Sequence, residues 1–251
     1  MSLISSTIKN IAPIDKLWLE KAEARQLDLT KPPRSLGELE TIANRLCAIQ
    51  ETLKPSVTAR EIFVFAASHG VCDENISPYP STVTAQMVAN FINGGAAINA
   101  LAKVGGANLT VVDVGVSGAD FENVNRKGLR FINSKVCEGT KNFATQAAMS
   151  EAEMCEALKI GIELAAEAKR ANVEIIGLGE MGIGNTTSAS AITSALLGIK
   201  PEICTGRGTG ANDAMLSHKI ETVKRALATN QPQKDDAFDI LRKVGGLEIA
   251  A

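Results

Sequence analysis

The sequence predicts an α/β fold: a doubly wound parallel sheet with helices on both faces, plus a smaller helical part formed by the N-terminus. Three short apolar runs rich in branched and aromatic residues, at 61–67, 109–116 and 173–176, are typical of buried strands. Segments with helical periodicity separate these runs, and strands that alternate with helices form a parallel sheet. The first fifty residues show helical patterns only. We therefore expect residues 1–55 to form the N-terminal helical part and residues 56–251 an α/β domain.

The helices of the N-terminal part are predicted from breakers and caps. A helical pattern over 14–29 ends at the Lys-Pro-Pro sequence of 31–33. Ser35 and Glu38 then have the spacing of a capping box, in which each side chain bonds the backbone of the other residue. A second helix is therefore predicted to open at Ser35.

Similar signals define the helices of the α/β domain. Ser150 and Glu153 form a second capping-box pattern, ahead of a long amphipathic helix that runs to about residue 170. Residues 121–145 are polar and irregular, with no decisive element. Residues 247–251 look like the first turn of an apolar helix, and we expect that helix to continue beyond this chain, leaving the domain C-terminally incomplete. Further helices are predicted over 82–92, 95–104, 185–197, 213–229 and 235–243.

Composition excludes several classes of protein. The 26 Lys+Arg and 28 Asp+Glu residues give a net charge of −2 without a basic run, so no nucleic-acid partner is expected. No apolar stretch approaches the roughly 20 residues that cross a bilayer, so no membrane partner is expected either. The five cysteines are spread singly, without the paired spacing of a zinc site. The sequence thus predicts a cytoplasmic protein without a metal.

The most informative motif is a glycine-rich segment between the third strand and the next helix: Gly177-Leu-Gly-Glu-Met-Gly-Ile-Gly-Asn-Thr-Thr187. It contains the G-x-G-x-x-G of dinucleotide-binding folds, but the glycines all precede the helix, and no acidic strand end follows at the expected distance. No G-K-[ST] triplet of a P-loop is present. Backbone N–H groups, a helix dipole and two hydroxyls would converge here, which favours a monophosphate cradle. The alternative is a tight structural turn. The predicted phosphate and ribose contacts are Gly182, Gly184, Asn185, Thr186 and Thr187. The α/β domain over 56–251 is accordingly predicted to be a nucleotide-binding domain.

A second glycine cluster precedes the following helix. Gly206, Gly208, Thr209 and Gly210 at that helix N-terminus could hold the same phosphate from another side, or form a flexible linker. Lys219, six residues into the helix, could reach back to the anion, or lie on the surface.

Polar residues also follow the strands. His69 comes directly after the first strand and has no evident partner in sequence, so a wall of a polar pocket is a better interpretation than a catalytic dyad. Asp113 and Glu180 are acids at strand ends, either of which could bond ribose hydroxyls or be satisfied by backbone N–H groups.

Several ordered motifs together resemble one enzyme family, nicotinate-nucleotide:dimethylbenzimidazole phosphoribosyltransferase, which acts in the assembly of the lower ligand of cobalamin. The resemblance runs from about residue 29 to the end of the chain. It is carried by Lys-Pro-Pro-Arg-Ser-Leu-Gly at 31–37, Ser-His-Gly-Val at 68–71, Val-Thr-Ala at 83–85, Asn-Phe-Ile-Asn-Gly-Gly at 90–95, Gly-Glu-Met-Gly-Ile-Gly-Asn-Thr-Thr at 179–187 and Lys-Val-Gly-Gly at 243–246.

The resemblance implies transfer of phosphoribose from nicotinate mononucleotide to dimethylbenzimidazole, giving α-ribazole phosphate and nicotinate. It also implies a homodimer that needs no metal and no cofactor. Glu180 and Lys219 match polar positions near the ribose and the reacting centre, and are the catalytic candidates. Tyr79 and Met87 stand where the family places polar residues beside the benzimidazole, and His69 lies in a loop near that pocket.

The chain departs from the family pattern at three places. The general base of the family is a glutamate in a C-terminal Gly-Glu-Gly motif, which we expect beyond the end of this chain. Arg34 stands where glycine is usual, and Ser68 where aspartate is usual. Together with Tyr79 and Met87, these two substitutions leave open a purine or phenolic acceptor. The position of the general base leaves open whether the chain is active alone.

Two other functions compete with the transferase. The chain could be a non-catalytic mononucleotide-binding protein, or half of a two-chain enzyme in which a partner supplies the general base. A nicotinamide-dependent oxidoreductase, which would use the G-x-G-x-x-G sequence, is the third interpretation.

Overall fold

The computed structural model describes residues 2–119, 121, 125–126 and 128–251 of the chain. These residues form two compact units, Met1–Ala59 and Arg60–Ala251. Part of the polar segment 121–145 lies outside the described residues.

The first unit consists of three helices, α1 (Leu3–Asn10), α2 (Lys16–Asp28) and α3 (Glu38–Gln50). Helices α2 and α3 pack against each other. The Gln26 amide donates a hydrogen bond to Asn44 across this contact, and an ion pair of 2.6 Å joins Lys31 in the following loop to Glu40.

The capping box predicted at Ser35 is wrong. Helix α3 begins at Glu38, and its N-terminal cap is Gly37, which forms no side-chain cap bond. Gly37 has φ +56°, a left-handed conformation that ends the preceding turn, so Ser35 lies in the turn and not at the helix start. The carboxylate of Glu40 instead accepts the Leu36 N–H at 3.2 Å.

The second unit is built on one sheet with strands β1 (Arg60–Ala67), β2 (Asn108–Gly115), β3 (Asn125–Arg126), β4 (Leu129–Asn133) and β5 (Ile175–Met181). The strand order is β3-β4-β2-β1-β5. All neighbours are parallel except the short β3, which runs antiparallel to β4. The predicted α/β fold with a parallel sheet is confirmed. Strand β4 was not predicted.

Helices cover both faces of this sheet. In order they are α4 (Val83–Ile92), α5 (Ala97–Val104), α6 (Glu151–Arg170), α7 (Asn185–Leu197), α8 (Pro201–Cys204), α9 (Asp213–Asn230), α10 (Ala237–Val244) and α11 (Leu247–Ala250). Side chains alternate along β1: Phe63 and Phe65 join a core with α6, α7, α9, α10 and α11. Val64 joins the opposite core with α4 and α5. This alternation follows from the two-residue period of a strand.

The order of connection places a reversal between β1 and β5. From β1 the chain continues outward through β2 to β4, and then returns to add β5 on the other side of β1. In open parallel sheets, ligands bind outside the carboxyl ends of the strands at such a reversal. In this chain those ends are Ser68 and His69 after β1, and Gly182 after β5.

Strand β5 extends further than predicted. The prediction ended it at residue 176, whereas it continues to Met181, with Gly177 paired to Ile62 and Gly179 to Val64 of β1. These two glycines therefore lie in the strand, and the turn before α7 is reduced to residues 182–184. We refer to those three residues as the glycine turn.

Asp113 has a structural role at the end of β2, although its Oδ2 is buried without a hydrogen-bond partner among the described residues. Its side chain is buried, and one carboxylate oxygen accepts the N–H groups of Gly115 at 2.9 Å and Val116 at 2.7 Å. These bonds fix the turn after the strand.

None of the helices in the described ranges is both long and apolar enough to cross a membrane.

Candidate functional site

Hydrogen bonds from neighbouring segments hold the glycine turn in place. The N–H of Ile183 donates to the buried Thr84 hydroxyl at 3.0 Å, and its carbonyl accepts the Cys72 thiol at 2.9 Å. Gly184 has φ +98°, and a Cβ there would lie only 3.1 Å from Cys72 Sγ. Because both the positive φ and the lack of room for a Cβ favour glycine at position 184, the turn requires glycine there to keep its conformation.

Helix α7 begins directly after this turn, with Gly184 as its N-terminal cap. Asn185 joins the helix start to the strand end: its amide donates to both carboxylate oxygens of Glu180, at 2.8 and 2.6 Å, while its carbonyl oxygen accepts the Thr186 N–H. The structure therefore brings Glu180, Asn185 and Thr186 together. Thr187 is fully buried and points away from solvent, into the interior.

Lys219 meets this helix start from α9. It is only 2% exposed, and its ammonium donates to the Thr186 hydroxyl at 2.6 Å. Among the described residues, no carboxylate lies within ion-pair distance of this ammonium. Burial lowers the pKa of Lys219. The surface interpretation of this lysine is wrong, because the helix directs it inward; a buried ammonium without a counter-ion favours binding of an anion.

A small cavity of about 100 Å³ lies between these groups. Its walls are residues 76–78, the end of β5, the glycine turn, Asn185, Thr186, Arg207, Thr209 and Lys219. The helix dipole of α7 adds positive potential to that of the two cationic side chains. The cavity thus combines the features that bind one phosphate group.

The glycines of the second cluster differ in how closely they approach the cavity. Gly208 approaches the site so closely that a Cβ there would lie 3.0 Å from the Thr186 hydroxyl and 3.4 Å from Lys219 Nζ. Gly206 and Gly210 are exposed, with no atom within 4 Å of the corresponding position. Sequence reasoning missed Arg207, although an arginine between two glycines at a helix N-terminus was the available signal. Arg207 also pairs with Asp213.

Glu180 does not line this cavity itself, but its carboxylate is hydrogen-bonded to Asn185, which does, and the residue is exposed. Desolvation by the surrounding protein raises its pKa; the Glu248 charge acts in the same direction, and the Asn185 hydrogen bond and His69 oppose it. A raised pKa makes a carboxylate a stronger base at neutral pH.

His69 lies in the interior, not on the wall of a pocket as expected. It is 2% exposed, and its Nε2 is 2.6 Å from the carboxylate of Glu248 on α11. Burial alone would lower the pKa of His69, but the charge and hydrogen bond of Glu248 outweigh it, so the pKa is raised. Sequence reasoning missed Glu248, which is 179 residues away along the chain.

The two remaining candidates are not brought into the cavity. Tyr79 is 46% exposed in the loop before α4, next to Ser77 and Pro78, which do line it. Met87 is half-buried on α4 and packs against the core of that face. Across the described ranges, no group of three His, Cys, Asp or Glu side chains is placed to hold a metal ion.

Comparison with known proteins gives a consistent result. The family model described as phosphoribosyltransferase matches residues 11–251. The nicotinate-nucleotide–dimethylbenzimidazole phosphoribosyltransferases of Geotalea uraniireducens and of Geobacter sp. strain M21 are 48% and 45% identical to the chain, which spans 70% of each.

Solved structures agree. The crystal structure of CobT from Thermus thermophilus superposes with a TM-score of 0.85 at 42% identity, over 93% of this chain and 68% of that one. A second crystal structure, of the nicotinate-nucleotide-dimethylbenzimidazole phosphoribosyltransferase from the same organism, gives 0.83 at 41% identity, over 94% and 68%. The resemblance noted in the sequence is confirmed: the chain belongs to the nicotinate-nucleotide–dimethylbenzimidazole phosphoribosyltransferase family.

Proposed function

We propose that this chain binds nicotinate mononucleotide and transfers its phosphoribosyl group to dimethylbenzimidazole or a related base. The products are α-ribazole phosphate and nicotinate. The observation that carries the proposal is the buried Lys219 ammonium, which has a hydroxyl and no carboxylate beside it among the described residues, and which faces the cavity between the two glycine segments. A mononucleotide phosphate supplies the missing negative charge.

The phosphate position orients the rest of the reaction. With the phosphate between the glycine turn, Thr186 and Lys219, the ribose extends toward Glu180 at the strand end. The bond from ribose C1′ to the pyridinium nitrogen breaks, and its electron pair neutralises that ring as nicotinate leaves. A nitrogen of the acceptor bonds C1′ from the opposite face, which inverts the linkage from β to α.

The acceptor ring must also lose its N–H proton. We assign Glu180 as the residue of this chain that takes this proton, because the surrounding protein raises the pKa of its carboxyl and Asn185 holds the carboxylate in place.

We further propose, from the family resemblance, that the chain acts as a cytoplasmic homodimer. Light scattering of the purified protein tests the oligomeric state.

A product assay tests the transfer. The chain is incubated with nicotinate mononucleotide and dimethylbenzimidazole, and α-ribazole phosphate is sought by mass spectrometry. We expect product from the unmodified chain and a large loss of rate in Glu180→Gln, with binding retained. Glu202→Gln, an exposed acid paired with Lys224, is the matched control.

The same assay separates the alternatives. Mononucleotide binding without product would support the non-catalytic or two-chain function, in which another polypeptide supplies the base. Binding of a dinucleotide in place of the mononucleotide would favour the oxidoreductase.

A further inference from the structure

The hydrogen bond between His69 and Glu248 joins the end of β1 to the last helix of the described chain. Both side chains have no solvent exposure, and the Nε2–Oε1 distance is 2.6 Å. Within the described residues, neither His69 Nδ1 nor the other oxygen of Glu248 has a hydrogen-bond partner. A single hydrogen bond therefore orients the imidazole.

The imidazole fills the space directly behind the glycine turn. A Cβ on Gly182 would lie 2.9 Å from His69 Cδ2 and 3.0 Å from Nε2, and a Cβ on Gly184 would lie 3.2 Å from His69 Cβ. On the other side, a Cβ on Gly246 would be 2.5 Å from Cε1. The ring is therefore bordered by Gly182 of the turn and by Gly246, and Gly184 of the turn borders the Cβ of the same histidine.

This packing makes the turn sensitive to the ring. Interiors are close-packed, and a displaced side chain forces its neighbours to move. Rotation of the imidazole about its side-chain bonds would press on Gly182, whose backbone lines the cavity together with Lys219.

We propose that Glu248 is a positioning residue of the mononucleotide site: through the imidazole of His69, it holds the glycine turn in the geometry that receives the phosphate. This inference rests on the proposed mononucleotide function. It assigns a role to Glu248 at a distance from the substrate, without direct contact.

Two substitutions separate the hydrogen bond from the general cost of changing a buried residue. Glu248→Gln keeps an acceptor for His69 Nε2, whereas Glu248→Met fills a similar volume without one. Affinity for nicotinate mononucleotide is measured by calorimetry at a temperature at which circular dichroism shows each variant folded. We expect Glu248→Gln to bind within threefold of the parent protein and Glu248→Met to bind at least tenfold more weakly.

Asp113→Asn is the matched control, because Asp113 is a similarly buried carboxylate that accepts its hydrogen bonds from the N–H groups of Gly115 and Val116. It is expected to lower stability and to leave the affinity unchanged. Parent-like binding by Glu248→Met would overturn the inference, and so would an equal loss in Asp113→Asn.

A measurement on the parent protein remains decisive if Glu248→Met does not fold. The chain has two histidines, so the imidazole ¹⁵N signals of His69 can be assigned with a His218→Gln variant. Nicotinate mononucleotide is expected to shift the His69 signals, and unchanged signals at saturation would overturn the inference. Failure of the parent protein to bind the mononucleotide would instead overturn the proposed function, and this inference with it.

Discussion

Lys219 carries the strongest functional signal at the scale of single residues. Lysine is rarely buried without a paired charge, because removing an ammonium from water is costly. Here the ammonium is held 2.6 Å from a threonine hydroxyl at the start of α7. The cost of burying it is offset when an anion occupies the adjoining cavity.

Lys219→Met is therefore expected to change binding and stability in opposite directions. Loss of the charge should weaken mononucleotide binding by about 10- to 100-fold, or about 1.4–2.8 kcal/mol. The free energy of unfolding should rise by about 1 kcal/mol, since a buried unpaired charge is removed. Calorimetry and urea denaturation measure the two effects. Lys159→Met, at an exposed site, is the control; lower stability with unchanged affinity would make Lys219 a structural residue.

Gly184 and Gly206 give a second residue-scale prediction, because only one of them requires glycine. Gly184→Ala is expected to destabilise the protein by about 1–3 kcal/mol, since φ is +98° and the new methyl group would meet Cys72, His69 and Val71. Gly206→Ala meets no atom within 4 Å and should stay within about 0.5 kcal/mol of the parent protein. Denaturant titration of both variants tests this; equal effects would contradict it.

Sequence patterns identified those cavity-lining residues that belong to one continuous motif, such as Gly182, Asn185 and Thr186. Glu248 and Arg207 were missed. The role of Glu248 depends on a contact with His69 that closes only in the folded chain. Arg34, where the resemblance implied a glycine, adopts φ +60°, a backbone conformation that glycine favours.

At the scale of elements, the two capping-box patterns had different outcomes. Ser150 and Glu153 form the reciprocal bonds predicted for the start of α6. Ser35 and Glu38 do not, because Gly37 between them takes a left-handed conformation and starts the helix later. Spacing alone could not separate the two cases; the intervening glycine could have.

Strand β5 illustrates a limit of local patterns. Its glycines predicted a loop, yet they pair with β1 through to Met181. Parallel neighbours impose an extended conformation where local preference is weak. Strand β4 was missed for a similar reason, since five residues in a polar segment give little periodic signal.

Glu74 joins the 3₁₀ turn Gly70–Glu74 to Asn142 and Arg225, and the strength of these contacts should depend on pH. The Asn142 hydrogen bond, followed by the charge and hydrogen bond of Arg225, lowers the pKa of Glu74 from its ordinary value of 4.5. A carboxyl whose pKa falls on folding stabilises the protein above that value, and loses this contribution as pH falls through the folded-state pKa.

Glu74→Gln should therefore cost about 1 kcal/mol at pH 7, and progressively less below pH 4.5. Urea denaturation across this range measures the difference between the parent protein and the variant. The exposed Glu221→Gln is the control. A difference that grows toward acid pH would contradict the assignment.

At the scale of the whole molecule, the sequence predicted a parallel sheet with helices on both faces, but not the order of its strands. That order places the reversal between β1 and β5, and with it the site. Strand order depends on pairings between distant segments, which the local apolar runs do not encode.

Ligand binding should stabilise the chain as a whole. At a mononucleotide concentration 100 times Kd, the added stability is about 2.7 kcal/mol, which corresponds to a rise in Tm of about 5–10 °C. Differential scanning fluorimetry measures the shift. The nucleoside without its phosphate is the control, and an equal shift with that compound would contradict a phosphate-centred site.

The pairing of β1 with β5 has a kinetic consequence. Arg60 pairs with Ile175, so the sheet is completed only after more than a hundred intervening residues have been brought into place. Such long-range closure slows folding, because chain entropy is lost before the contact forms. The glycine turn follows β5, and the imidazole of His69 behind it is hydrogen-bonded only once α11 has brought Glu248 into place. Mononucleotide binding should thus appear during refolding only after β5 has paired with β1 and α11 has packed behind the turn.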